Sequence, residues 1–252
     1  MPFTVDVHIK ATASSKASRV GTLMEDISAL FRRVVALEGC APPVPYITTK
    51  EEYPVTPRDD DAVRRVKASL SSLGVRGASL LWVPSDYYQH TLTWRRDVLK
   101  APSISHLCKS MLVENTSFSE TVLNDPSRHN NERFYIVVYQ YVDRFDSDKL
   151  MRYFREANPG VGKKSFNYRV SDQGERVTGF TAGGFTVFGM AQPITVVLSA
   201  KLLALRPLSL VLGGGHVDLK LILPTEEFVR VLAPIVADVT NPLTEEELAE
   251  KA

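Results

Sequence analysis

The run RFYIVVYQYV, Arg133 to Val142, constrains the fold of this chain more than any other stretch. β-branched and aromatic residues fill it. Such residues suit a pleated surface, so the run predicts a strand and commits the chain to a sheet. Other strand signals surround it. ASLLWV precedes it, and PITVVLS, LSLVLGGG and DLKLIL follow in close succession among helices and glycine turns. HLCKSMLVEN, His106 to Asn115, interrupts its apolar pattern with Lys109 just before Met111, Leu112 and Val113. That lysine is either a solvent residue at a strand edge or the charged centre of a pocket.

Helices are predicted on both sides of the strand region. TLMEDISALFRRVVALEG places Leu23, Ile27, Leu30, Phe31, Val34 and Val35 at helical spacing and stops at Gly39. The proline-rich APPVPYITTKEEYPVTP cannot continue a helix. RDDDAVRRVKASLSSLG restarts one, with acidic residues at its positive end, Val63, Val66, Leu70 and Leu73 on one face, and Gly74 closing it. DSDKLMRYFREA reads as a helix capped by a leading Asp or Ser, and PTEEFVRVLAPIV as one with Thr225 as N-cap. The acidic TEEELAEKA reads as a solvated helical tail. The expected organisation is a helical extension over residues 1–77, an α+β domain over 78–238 and an acidic tail over 239–252.

Charge excludes one class of behaviour. Thirty Lys and Arg against 29 Asp and Glu leave no global field for polyanions, so nucleic-acid contact must come from local basic clusters. Cys40 and Cys108 have neither metal nor redox spacing, which fits a reducing compartment. No apolar run approaches the ~20 residues of a membrane helix. ATASSKASR has a transit-peptide composition, but FTVDVHIK before it alternates like a strand and carries Asp6. A cytoplasmic protein is expected.

Three stretches carry candidate chemistry. Lys109 would bring a positive charge and three donors to a phosphate or a carbonyl oxygen. TGFTAGGFTVFGM, Thr178 to Met190, is either a tight glycine turn or a loop whose backbone approaches a ligand oxygen closely. It lacks the lysine of a nucleotide-triphosphate loop. LGGGHVDLK, Leu212 to Lys220, carries His216, which is either polar turn surface or a ligand-contacting base, and Asp218, expected to pair with Lys109 or Lys220. Weaker signals are the aromatic and basic SDYYQHTLTWRRD, the lysines of GKKSFNYR, the polar loop with Asp125, Asn130 and Asn131, and the Arg32–Arg33 and Arg64–Arg65 pairs. G-x-S-x-G, H-E-x-x-H and CxxC are all absent, so serine-hydrolase, zincin and zinc-site readings have no support.

The order HLCKSMLVEN, RFYIVVYQYV, helix, TGFTAGGFTVFGM, PITVVLS, LVLGGGHVDLKL, PTEEFVRVL resembles the YbaK-type aminoacyl-tRNA editing domain family. That family includes the editing insertion of bacterial prolyl-tRNA synthetases and its free-standing relatives. The likeness covers roughly residues 78–234, and the whole chain is similar to the eukaryotic YbaK-like members. The resemblance implies an α+β fold whose mixed, curved, barrel-like sheet is flanked by helices. It implies hydrolysis of the ester of a mischarged tRNA, with no metal and no cofactor, and tRNA or a synthetase complex as partner. The family's lysine-threonine motif falls on Lys109 and Ser110, and its glycine loop on Gly183, Gly184, Phe185, Thr186, Val187, Phe188 and Gly189. Lys109, Gly183 and Gly184 are thereby expected to be catalytic. Ser110, Thr186, Gly214, Gly215, His216 and Asp218 are expected to bind substrate. Val187 stands where bacterial members carry proline, so a fixed φ is lost there. The leading substrate expectation is alanine or another small residue on tRNA-Pro.

Overall fold

The computed structural model of the chain describes residues 53–118 and 132–251. The N-terminal strand and helix, Cys40, Arg32–Arg33 and the loop with Asp125, Asn130 and Asn131 lie outside the described residues. Residues 50–252 make one compact unit.

In chain order the strands are β1 (Ser79–Trp82), β2 (Cys108–Asn115), β3 (Phe134–Gln140), β4 (Asp143–Phe145), β5 (Tyr168–Val170), β6 (Thr195–Ser199), β7 (Ser209–Gly213), β8 (Leu219–Pro224), β9 (Ile235–Ala237) and β10 (Thr240–Pro242). The helices are α1 (Asp61–Ser72), α2 (Leu92–Leu99), α3 (Ser147–Ala157), α4 (Gly174–Thr178), α5 (Thr225–Leu232) and α6 (Glu245–Lys251). The run that most constrained the sequence is β3, buried at every residue after Phe134. It sits at the centre of a five-stranded mixed sheet of order β5-β2-β3-β6-β9, antiparallel to β2 and parallel to β6.

Both faces of that sheet are covered, which explains the continuous apolar run. Tyr135, Val137 and Tyr139 pack with Leu150 and Phe154 of α3. Ile136 and Val138 face the opposite core, shared with Leu210 and Leu212 of β7, Leu221 and Leu223 of β8, Val66 and Leu70 of α1 and Phe228 of α5. Each such fully buried side chain stabilises the fold by ~1.5–3 kcal/mol. β1, β8 and β7 form a second, antiparallel sheet whose outer face carries Val211 and Ile222 against Leu92 and Leu99 of α2.

The expected barrel-like closure does not occur. Among the described residues the two large sheets are joined by one bridge, Leu107 to Val211. Beyond it the loop after α4 lies between β2 and β7. Gly213 has Phe185 backbone against it, where even a Cβ would not fit. That loop, rather than a continued ladder, lies against the Gly213 end of β7.

Among the described residues the helix signals hold with three differences. The helix expected over PTEEFVRVLAPIV ends at Leu232, and the last residues of that run, from Ile235, belong to β9. Asp60 caps α1 by accepting from Val63 N, and Gly74 follows it at φ +63°. Leu73, however, is an exposed C-cap, and the buried face gains Lys67 instead. Thr225 is the first helical residue of α5 rather than its cap. β8 pairs with β7 as far as Pro224, so the strand runs directly into the helix. Among the described residues no helix is long and apolar enough to cross a membrane.

Candidate functional site

The separation of β2 from β7 opens a cavity of about 310 Å³ lined by Cys108, Lys109, Ser110 and Met111 of β2, Tyr139 and Tyr141, Tyr88, Gly183, Phe185 and Gly213. β5 pairs with β2 at Val113–Asn115 and Ser171 N donates to Leu112 O, so among the described residues Lys109 to Met111 have no ladder partner on the side away from β3. The pocket is therefore a consequence of topology: a strand edge left uncovered between two sheets.

Lys109 projects from that edge, half-buried, with Nζ 4.9 Å from the centre of the Tyr141 ring. Among the described residues it makes no ion pair with a carboxylate. Burial lowers its pKa from the usual lysine value, and the charges of Lys251 and Arg95 lower it further. A neighbouring aromatic face offsets part of that desolvation. Ser110 Oγ, beside it, is buried without a hydrogen-bond partner. Of the two alternatives for Lys109, the geometry gives the second: Lys109 lines a pocket. His106, by contrast, is a satisfied core histidine, contacting Ser103 Oγ at 2.9 Å and Pro207 O at 3.0 Å.

The wall opposite Lys109 is the glycine loop. Gly183 has φ +81°, and its carbonyl accepts from Tyr88 OH at 3.0 Å. Tyr88 and Tyr141 both line the cavity. Burial raises the pKa of both phenols, so they are hydroxyl donors rather than bases at neutral pH. Further along, Arg65 of α1 clamps the loop at its two ends. Its guanidinium donates to Gly179 O at 2.6 Å and to Gly189 O at 3.2 Å. At Gly189 (φ +69°) an added Cβ would lie 2.6 Å from the Arg65 carbonyl carbon. Val187 and Phe188 are buried in the core. Clamp and core hold the loop that proline was expected to stiffen, and Arg65 faces inward rather than serving as a polyanion contact. Arg64 is exposed and pairs with Asp61.

The cavity brings together Lys109, Ser110 and Gly183 of the expected site residues. Gly184, Thr186, Gly214, Gly215, His216 and Asp218 do not line it. Gly184 N–H donates to Thr181 O and its carbonyl accepts from Gly215 N at 3.1 Å, so its amide is not free for an oxyanion. Thr186 is buried. Gly215 is pressed against Val66 of α1, with 2.8 Å from an added Cβ to Val66 Cγ2. Gly184 in turn packs against the Gly215 and His216 backbone. His216 lies 5.2 Å from the Trp82 ring centre, and its Nδ1 accepts from Asp218 N. Asp218 forms no ion pair with either lysine among the described residues; Lys220 Nζ donates to Val217 O instead.

Tyr88, Tyr139, Tyr141 and Phe185 were not singled out by the sequence as pocket residues. The only available signal for Tyr88 was its aromatic and basic surroundings, SDYYQHTLTWRRD. Among the described residues no cluster of three or more His, Cys, Asp or Glu could hold a metal.

No protein-family profile matches the chain, and no curated protein does. Solved structures match its fold. A scaffold protein from computational epitope grafting superposes with TM-score 0.56 at 18% identity, over 73% of this chain and 100% of the other. A candidate trans-editing enzyme for prolyl tRNA synthetase does so with TM-score 0.56 at 17% identity, over 73% and 99%. A hypothetical protein gives 0.52 at 19%, over 70% and 99%. Their whole chains are contained in this fold.

Proposed function

We propose that this chain is a trans-editing aminoacyl-tRNA deacylase, hydrolysing the ester that joins a small amino acid to the wrong tRNA. One observation carries the reading. Lys109, on the strand where the family's lysine falls, presents an ammonium that has no carboxylate partner among the described residues to a cavity of about 310 Å³. An unneutralised, half-buried cation suits an oxygen that becomes negative in the transition state. The volume is at the lower end of the ~300–1,000 Å³ span of small-ligand sites. That favours a small aminoacyl group, with larger side chains excluded by contact.

The lining holds no carboxylate and no imidazole. In this reading the attacking water is positioned with help from the substrate's own terminal ribose hydroxyl, as the family resemblance implies. The protein's part is positioning and charge stabilisation. Lys109 opposes the developing oxyanion, and the phenol of Tyr88 keeps the glycine loop in place by donating to Gly183 O.

The test is deacylation of a panel of mischarged tRNAs, alanine on tRNA-Pro first, by wild type and Lys109→Ala. Turnover of one small aminoacyl-tRNA that the variant loses by roughly 100-fold or more supports the reading. The missing base and the committed Gly184 amide favour a second reading, a tRNA- or synthetase-binding protein on this fold. It predicts no turnover across the panel with tRNA still retained.

A further inference from the structure

A second lysine lies behind the pocket wall. Lys220 is on β8, the central strand of the three-stranded sheet, opposite Leu81 of β1 and Gly213 of β7. Leu221 and Leu223 of this strand enter the main core, so the strand's alternation turns Lys220 to the opposite face, among Val211, Tyr87 and Tyr88. It is 3% exposed. Nζ donates to Val217 O at 2.5 Å and lies 4.7 and 4.6 Å from the ring centres of Tyr87 and Tyr88. A lysine is rarely buried so fully without a carboxylate bonded to it.

What Lys220 touches gives the position its meaning. Val217 and Tyr88 are the two residues that fix Gly183. Val217 Cγ2 is 2.9 Å from where a Gly183 Cβ would be, and Tyr88 OH donates to the Gly183 carbonyl. The ammonium therefore joins the turn after β7 to the aromatic pair, and both contacts converge on one residue of the pocket wall. We propose that Lys220 is a positioning residue: its charged ammonium, held between the Val217 carbonyl and the Tyr88 ring, sets where the Gly183 wall stands opposite Lys109.

The charge is the active part of this arrangement, because a neutral amine loses both the cation–π attraction and the strength of the carbonyl bond. Burial pushes the Lys220 pKa down to about 8, with Asp218 from its own turn opposing and Arg95 of α2 adding to the shift. The other titratable groups facing it are Tyr87 and Tyr88 and, across a residual void of about 10 Å³, Tyr141 and Cys108. Burial raises the pKa of all four. Above pH 8 the wall loses its tie while Tyr88 stays protonated.

The activity arm of this inference rests on the deacylase reading; its structural arm does not. The structural experiment is hydrogen exchange on the full chain, following Gly184 N–H, bonded to Thr181 O, and Gly215 N–H, bonded to Gly184 O. Lys220→Met at pH 7 should exchange these amides roughly tenfold faster than wild type, as expected for losing one charged hydrogen bond. Amides of β3 should be unchanged. Wild type, corrected for intrinsic rates, should move to the variant's behaviour between pH 7 and 9. Tyr88→Phe, which keeps the lysine, should loosen Gly184 with no such pH step beyond it. Equal protection in wild type and Lys220→Met, or no pH step in wild type, overturns the proposal whatever the activity. In the activity arm, kcat of Lys220→Met should fall roughly tenfold at nearly constant KM, with partial recovery in Lys220→Arg. Loosened amides with no turnover in any protein would sink the deacylase reading and leave the positioning role intact.

Discussion

Lys109 and Lys220 line two cavities that share Tyr88 and Tyr141, and their surroundings differ in what is left unfinished. Lys220 spends its ammonium within the protein, on the Val217 carbonyl and two aromatic rings. Among the described residues Lys109 has one ring, no carboxylate and a cavity in front of it. Both are desolvated, and both have lowered pKa values for that reason first. Burial and a shifted pKa thus do not by themselves separate a ligand-facing lysine from a structural one. The separation comes from whether the donors already have acceptors.

Lys67 of α1 sharpens that comparison, and it carries the largest expected stability effect. Its Nζ donates to Asp59 Oδ2 at 2.5 Å and to Pro54 O at 2.7 Å, with Asp59 2% exposed. Lys67→Met would strand a buried carboxylate. Chemical denaturation should show a loss of about 3–5 kcal/mol. A loss below ~1 kcal/mol would mean that the pair is solvated. Against the burial that would raise it, hydrogen bonds from Lys67 and Thr56 leave the Asp59 pKa lowered. Its stabilising contribution is therefore present above the unfolded carboxylate value, near 3.8, and disappears as pH falls through the lower folded value.

Lys109→Ala should do the reverse. Activity on the responsive mischarged tRNA should fall by roughly 100-fold or more, about 2.7 kcal/mol of transition-state stabilisation. Stability should stay within ~1 kcal/mol, since no carboxylate is stranded. A destabilised but active variant would exchange the roles assigned to the two lysines. The pH profile checks the same assignment. Protonated Lys109 is the competent form, so activity should fall as pH rises, with an inflection below the ordinary lysine value of 10.5. Titration of kcat over pH 7–11 in wild type and Lys220→Met reads the Lys109 contribution, because only one of the two lysines titrates in the variant.

The sequence made one half of this comparison legible and hid the other. Lys109 stood out because it breaks an apolar strand, a local anomaly next to RFYIVVYQYV that a linear reading detects. The fold class followed from the strand runs. The covered faces of β3 account for the uninterrupted hydrophobicity that identified it. Lys220 in DLKLIL instead looks like ordinary alternation, an outward lysine between inward leucines. Its burial depends on Tyr87 and Tyr88, more than 130 positions earlier, covering that face of the sheet. The same non-locality concealed why the glycines are there. Gly189 and Gly215 are required by α1, whose backbone and Val66 press on them. A reading that took them as ligand-facing turns could not see the helix. Closure failed to be legible for a related reason, since the loop that separates β2 from β7 comes from between two other elements.

The smallest expected effect is also the one that tests the lesson most directly. Lys220→Met should change stability by no more than about 1 kcal/mol at pH 7, since an unpaired buried charge is exchanged for a side chain of similar length. The variant leaves the Val217 carbonyl without its donor, which offsets part of the gain from removing the charge. The sign of the pH dependence is fixed by linkage. With the folded pKa at about 8 and the unfolded value near 10.5, the folded protein gives up this proton first. Lys220 therefore makes its full stabilising contribution above pH ~10.5, and loses it as pH falls toward 8. The difference in Tm between Lys220→Met and wild type should move in favour of wild type as pH rises from 8 to 10. Activity, on the proposal above, declines over the same interval. A fold that grows firmer while its pocket wall loosens would place the ammonium of Lys220 among the groups kept for position rather than stability. A flat difference in Tm would show that the charge is solvated, and would remove the ground for treating Lys220 and Lys109 as different kinds of lysine.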